Sequence, residues 1–168
     1  MCYKPVKLNK LNKFGQPVYA SCRQCWECKQ TRANEWAVRC SLEQRSHQES
    51  CFITLTYKDN PLILDKTDMQ KFIKRLRKHI SPQKIRYFAA GEYGDKSLRP
   101  HFHVIIFGYD FKDKVYHGDS SSDKPIFISK QLDDLWSHGL TTVQEVTPQS
   151  IKYCALYASK TKRKGLPP

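Results

Sequence analysis

The sequence predicts an α+β fold with a ferredoxin-like central antiparallel β-sheet and flanking helices. Two observations carry this. After residue 50 the apolar pattern alternates between strand and helix periods in the order β-α-β-β-α-β, followed by one more helix. With 168 residues, the chain is also long enough for one domain with a substantial core.

Residues 1–21 are basic and broken by Pro5, Gly15 and Pro17, and they read as an extended arm ahead of a single domain over 22–168. A helix is expected over 30–45, where Ala33, Trp36, Ala37 and Cys40 recur at helical spacing. "SCFITLTY" (50–57) is rich in strand formers and stops at the breaker "KDNP". "TDMQKFIKRLRKHI" (67–80) is amphipathic, with Met69, Phe72, Ile73, Leu76 and Ile80 on its core face and Thr67 with Gln70 as a capping box. "KIRYFAAGEYG" (84–94) begins as a strand and ends in a turn, and "HFHVIIF" (101–107) is the next strand. The polar stretch 109–124 reads as a loop or insertion, and "PIFIS" (125–129) as a short strand. "KQLDDLWSHG" predicts a short helix capped by Gly139, and "LTTVQEV" (140–146) a strand. The last helix starts with Thr147 as N-cap and Pro148 at the first helical position.

Composition narrows the function. Lys and Arg number 29 against 16 acids, for a net charge of +13. Such an excess on a small domain points to a polyanionic partner, nucleic acid above all; a merely soluble basic protein is the bland alternative. The start "MCYKPVKLNK" has no apolar signal region, and no stretch approaches a membrane span. Seven cysteines in such a chain imply a reducing, cytoplasmic setting, with thiols or metal ligands rather than disulfides.

Three constellations carry chemistry. His101 and His103 are one residue apart on a strand, so both project from one face while Phe102 and Val104 point to the other. Neutral and side by side, they suit a shared metal ion; a hydrogen-bonded pair of sheet histidines is the other reading. Glu92 ends the preceding strand, and the turn "YGDKSLRP" brings it back toward them. Two imidazoles and a carboxylate suit Mn²⁺, Mg²⁺ or Zn²⁺. On the final helix Tyr153, Tyr157 and Lys160 share one face, while Ile151, Cys154, Ala155 and Ala158 share another that can pack on the sheet. Cys22, Cys25 and Cys28 form C-x-x-C-x-x-C, and Cys2 could complete a tetrahedral structural Zn²⁺ site; free thiols near a helix start are the alternative. Cys40, Cys51 and Cys154 sit in periodic segments as small core residues.

Taken together, "FITLTY" (52–57), "GEYGDKSLRPHFHVIIFG" (91–108), "YCALYASK" (153–160) and "CRQCWECKQTRANEWAVR" (22–39) resemble the HUH endonucleases, the rolling-circle replication initiators (Rep) and relaxases. The likeness is nearest to the Rep proteins of microviruses of the gokushovirus branch and covers about residues 20–160. Such proteins carry more chain after the tyrosine motif, so a C-terminal extension is expected to be missing. The resemblance implies a metal-dependent endonuclease that nicks single-stranded DNA at a replication origin. In it, Glu92, His101 and His103 hold Mn²⁺ or Mg²⁺, and Tyr153 or Tyr157 attacks phosphorus to leave a 5′-phosphotyrosine and a free 3′-OH. Lys160 would favour the phenolate or bind phosphate. The resemblance also implies the host replication machinery as partner and the host bacterial cytoplasm as setting. Thr54 and Thr56, on one strand face, are candidates for the DNA groove, equally readable as sheet filler. Lys71, Lys74, Arg75, Arg77 and Lys78 on helix 67–80, with Arg99 beside the histidines, are the other DNA-binding candidates. A non-catalytic, basic single-stranded DNA-binding protein with a Cys-rich zinc site, or a metal-dependent hydrolase with no covalent step, would not need the tyrosines.

Overall fold

The fold is taken from a computed structural model that describes residues 2–59, 61, 63–94, 98–120 and 123–159. The elements are β1 (Val6–Leu11), β2 (Pro17–Ala20), α1 (Trp26–Arg45), β3 (Ser50–Thr56), α2 (Lys66–His79), β4 (Arg86–Tyr93), β5 (Pro100–Phe107), β6 (Val115–Asp119), β7 (Pro125–Ile128), α3 (Lys130–Trp136), β8 (Thr141–Glu145) and α4 (Pro148–Ser159). Six strands form one antiparallel sheet in the order β4-β5-β3-β8-β7-β6. Without the β6–β7 hairpin, the remaining order β4-β5-β3-β8 is the ferredoxin-like arrangement expected from the sequence.

The strand alternation splits the core into two layers. Phe102, Val104 and Ile106 of β5, with Ile53 and Leu55 of β3, pack against Phe72, Ile73 and Leu76 of α2 and Leu132 and Trp136 of α3. Ile105 and Phe107 of β5, with Phe52, face Cys40 of α1 and Ile151 and Cys154 of α4. Each fully buried side chain of this size contributes roughly 1.5–3 kcal/mol of transfer free energy. Because β5 is central and covered on both sides, it reads as one apolar run broken only by its histidines.

Local signals explain most boundaries, and several expectations need correction. Residues 109–124 are not all loop: β6 lies within them as an edge strand, its residues mostly exposed, so no apolar alternation marks it. The N-terminal arm is a hairpin, turned at Asn12, whose Oδ1 accepts from the amides of Phe14 and Gln16, and at Gly15 with φ +72°. Asp65, not Thr67, caps α2, its carboxylate accepting the Thr67 amide at 2.7 Å. Ser137, in the left-handed region at φ 58°, ends α3 in place of Gly139. Gly139 instead lies so close to β3 that a Cβ there would collide with main-chain atoms of Thr56, Tyr57 and Lys58. On α4, Thr147 is the cap, its Oγ1 accepting from the Ser150 amide at 3.2 Å. Ala158 is exposed rather than packed on the sheet. Among the described residues no helix is long and apolar enough to cross a membrane.

Candidate functional site

The site sits on the sheet face covered by α1 and α4. Strand register builds its first half. β4 and β5 pair so that Glu92 lies directly opposite His101, and Ala90 opposite His103. β3 flanks β5 on the other side, with Thr54 opposite His103 and Thr56 opposite His101. All these side chains share a face because partners across a sheet point the same way. The Glu92 Oε2 lies 3.4 Å from His101 Nε2 and 3.3 Å from His103 Nε2, with Glu92 and His103 buried and His101 half-buried.

The far nitrogens fix the rings. His101 Nδ1 lies 3.0 Å from the Arg99 carbonyl oxygen, which only accepts, so this nitrogen carries the proton. In the neutral ring Nε2 is then an acceptor, aimed at a carboxylate oxygen that is also an acceptor. That contact is favourable for an imidazolium or with a cation held between them. His103 Nδ1 lies 3.2 Å from Thr54 Oγ1, and the Phe52 ring stacks on the imidazole with centroids 5.7 Å apart. The ligand atoms of Glu92, His101 and His103 all lie within 4.8 Å of one another. One anionic and two neutral donors, oriented by hydrogen bonds from behind, fit a divalent cation.

The second half comes from α4. Ile151, Cys154 and Ala155 bury its inner face, and the Cys154 thiol lies 3.5 Å from the His103 carbonyl oxygen. This seats the helix over β5 and lowers both tyrosines onto the histidines. The ring of Tyr153 meets His103 edge to face at 4.9 Å, Tyr157 lies 5.7 Å from it, and the two tyrosine rings are 4.5 Å apart. Tyr153 is exposed, whereas Tyr157 is half-buried. Burial, with hydrogen bonding to Tyr153 and Glu92, pushes the Tyr157 phenol well above its ordinary range. Lys160 lies outside the described residues.

The basic candidates are distributed differently. α2 packs on the opposite face of the sheet, so Lys71, Lys74, Arg77 and Lys78 are exposed on the layer away from the histidines. Arg75 donates to the carbonyls of Leu135 and Trp136 at 2.7 and 3.2 Å, tying α2 to α3. Arg99 donates to the carbonyls of Tyr57 and Lys58 at 2.9 and 3.2 Å, bracing the end of β3. Thr54 orients an imidazole, and Thr56 is half-buried beside it. Sequence reasoning misses Phe52 and the Arg99 carbonyl as supports of the histidine rings. Phe52 is discoverable, because it stands two residues before Thr54 on the same strand face. Cys2, Cys22, Cys25 and Cys28 also meet, at the start of α1, while Cys40, Cys51 and Cys154 are buried in the core.

Residues 50–162 match the replication-associated protein family of the ORF2 type, a span that contains every strand of the main sheet, the carboxylate–histidine set and both tyrosines. The chain belongs to this family. It is similar to Replication-associated protein ORF4 of Chlamydia phage 1, at 36% identity over 90% of this chain and 40% of that protein. It is also similar to Replication-associated protein VP4 of Bdellovibrio phage phiMH2K, at 33% identity over 98% of this chain and 59% of that protein. With Replication-associated protein ORF2 of Spiroplasma virus 4 it shares 35% identity over 83% of this chain and 47% of that protein. The chain thus spans about half the length of these relatives. These similarities support the microvirus-like Rep and HUH assignment expected from the motifs. No solved structure matches the chain significantly.

Proposed function

We propose that this replication-associated family member initiates rolling-circle replication by nicking single-stranded DNA at a replication origin and later rejoining the strand. The observation that carries the reading is the convergence of two tyrosines of α4 on His103 of a carboxylate–histidine set. Residues 22–168 form the endonuclease domain in this reading. Its partners are origin DNA and the host's replication machinery, in the host bacterial cytoplasm.

Glu92, His101 and His103 would hold Mn²⁺ or Mg²⁺, which when bound polarises the scissile phosphate and offsets its developing negative charge. The chain's own residues do the rest. A phenolic oxygen of Tyr153 or Tyr157 attacks phosphorus, the bond from phosphorus to the 3′ oxygen breaks, and a 5′-phosphotyrosine forms. The phenol gives up one proton and the departing 3′ oxygen takes one, so the products are a phosphodiester to the protein and a free 3′-OH. The phosphoester bond is conserved for rejoining rather than lost to water. Lys160, on the tyrosine face of the helical repeat, would stabilise the phenolate or the phosphate. Thr54, Thr56 and Arg99 flank the histidines and would help line the DNA path, with the basic face of α2 as a further contact.

The test is incubation of the chain with Mn²⁺ and end-labelled single-stranded DNA carrying the origin of the replicon that encodes it, resolved on a denaturing gel. A protein–DNA adduct on the 5′ side of the nick supports the reading. Binding without an adduct selects a binding module, and cleavage without an adduct a hydrolase.

A further inference from the structure

The four N-terminal cysteines are not used by the nicking reaction, yet the fold gathers all their sulfurs at one point. Cys22 Sγ lies 3.9 Å from Cys28 Sγ, Cys25 Sγ lies 4.0 Å from Cys2 Sγ, and all four sulfurs are within 4.8 Å of one another. Four thiolates around a tetrahedral Zn²⁺, with Zn–S bonds of about 2.3 Å, stand about 3.8 Å apart. Two disulfides would need only two separate pairs, each with sulfurs at about 2 Å. We infer that Cys2, Cys22, Cys25 and Cys28 form a structural Zn²⁺ site that fastens the N-terminal β1–β2 hairpin to the start of α1.

Three features of the backbone serve this arrangement. The hairpin register, with Val6 opposite Ala20, brings the segment before β1 beside the segment after β2, and so Cys2 beside Cys22. Arg23 adopts the left-handed region at φ 60°, which folds the chain back so that the Cys25 amide donates to Cys22 Sγ at 3.3 Å. The Cys22 amide donates to Cys2 Sγ at the same distance. Amide donors to sulfur are the supporting hydrogen bonds a thiolate ligand requires. Cys25 occupies the N-cap of α1, where Ser, Thr, Asp or Asn is favoured, yet its side chain makes no capping bond. Its sulfur is turned to the cluster instead, where Cys28, one helical turn on, meets it.

The hairpin needs such a fastening. β1 and β2 pair only with each other, and none of their residues is buried. An isolated two-stranded hairpin is marginal in water, and this one leaves Val6, Leu11 and Tyr19 exposed. Metal binding free energy in a site closed by four thiolates supplies what burial does not. The inference is independent of the nicking reading, since the cluster shares no residue with the carboxylate–histidine set.

The test is metal analysis of the chain purified from zinc-supplemented medium, together with exchange into Co²⁺. One zinc per chain and the visible ligand-field bands of a tetrahedral thiolate Co²⁺ site are expected. Cys22→Ser and Cys28→Ser should each lower zinc content at least about tenfold, with the far-ultraviolet circular dichroism of the remaining fold retained. His101→Ala should keep its zinc at this site. Chelation should expose residues 1–25 to rapid proteolysis while the segment from α1 to α4 stays resistant. A chain that carries no zinc, that carries iron instead, or that keeps its zinc as Cys22→Ser overturns the proposal. So does proteolysis that chelation leaves unchanged.

Discussion

Glu92 and His101 are direct cross-strand partners, and the Glu92 Oε2 lies 3.4 Å from His101 Nε2 on the face they share. The arrangement needs both residues but asks little of either for folding, because the strands are held by their ladders and by the opposite core. His101→Ala should therefore cut nicking by at least about 10²-fold, comparable to losing a main charge-stabilising group. The melting curve and much of the DNA affinity should be kept. Excess chelator should do the same to the parent chain, and Mn²⁺ should restore it. Undiminished cleavage in chelator would sink the metal assignment.

Thr54 gives a graded version of that test. Its hydroxyl lies against His103 Nδ1, so Thr54→Val removes an orienting bond while keeping the shape of the strand. Loss of such a support lowers metal affinity by about 10–100-fold. The variant should need correspondingly more Mn²⁺ for half-maximal nicking and approach parent activity at saturation. A variant with an unchanged Mn²⁺ requirement would return Thr54 to sheet filler.

The charge of α2 makes a different prediction because it lies on the far layer from the histidines. If single-stranded DNA wraps onto that layer, changing Lys74, Arg77 and Lys78 to Gln should weaken binding across sequences. Each lost phosphate contact should also flatten the dependence of log affinity on log salt by about 0.7. An unchanged salt slope would leave α2 as a solvated face and move the DNA path to the α1 and α4 layer.

What the sequence disclosed and what it withheld have physical causes. His101, His103 and Glu92 are legible because a strand puts i and i+2 on one face and a turn returns the chain antiparallel. Tyr153 and Tyr157 are legible because an i, i+4 pair shares one side of a helix. β6 is not, since an edge strand solvated on both faces has no apolar alternation to read. The cap of α2 goes to Asp65 because a carboxylate just before the helix reaches the Thr67 amide first. Arg75 and Arg99 look like DNA contacts in sequence, but backbone carbonyls brought near by the tertiary fold engage both.

The Asp65 cap predicts a pH effect with a definite sign. The hydroxyl and then the amide of Thr67 hold its carboxyl below the ordinary value. A depressed carboxylate stabilises the fold above its unfolded pKa and loses that contribution as pH falls through the folded one. Asp65→Ala should therefore lower the urea midpoint at neutral pH and erase part of the acid dependence. Gln70→Ala should change neither. The reverse pattern would restore Thr67 and Gln70 as the capping pair.

The pair of tyrosines carries the last prediction. One nucleophile suffices to nick a strand and stay attached to its 5′ end. Continued synthesis regenerates the origin, which must be cut again to release a unit-length strand, and the first tyrosine is then occupied. Tyr153 and Tyr157 lie one turn apart on α4, about 6 Å of axial rise, and both rings reach His103. A small shift of helix or DNA would exchange them at one phosphate position. The two are not equivalent at rest, because Tyr153 is exposed while Tyr157 is half-buried with its phenol pushed upward. Each single Tyr→Phe variant should still form some covalent adduct, and the double variant none. Release of a closed circle should fail in either single variant, because the second cut lacks a free nucleophile. Repeated rounds completed normally by one single variant would make the replaced tyrosine structural and the alternating scheme wrong.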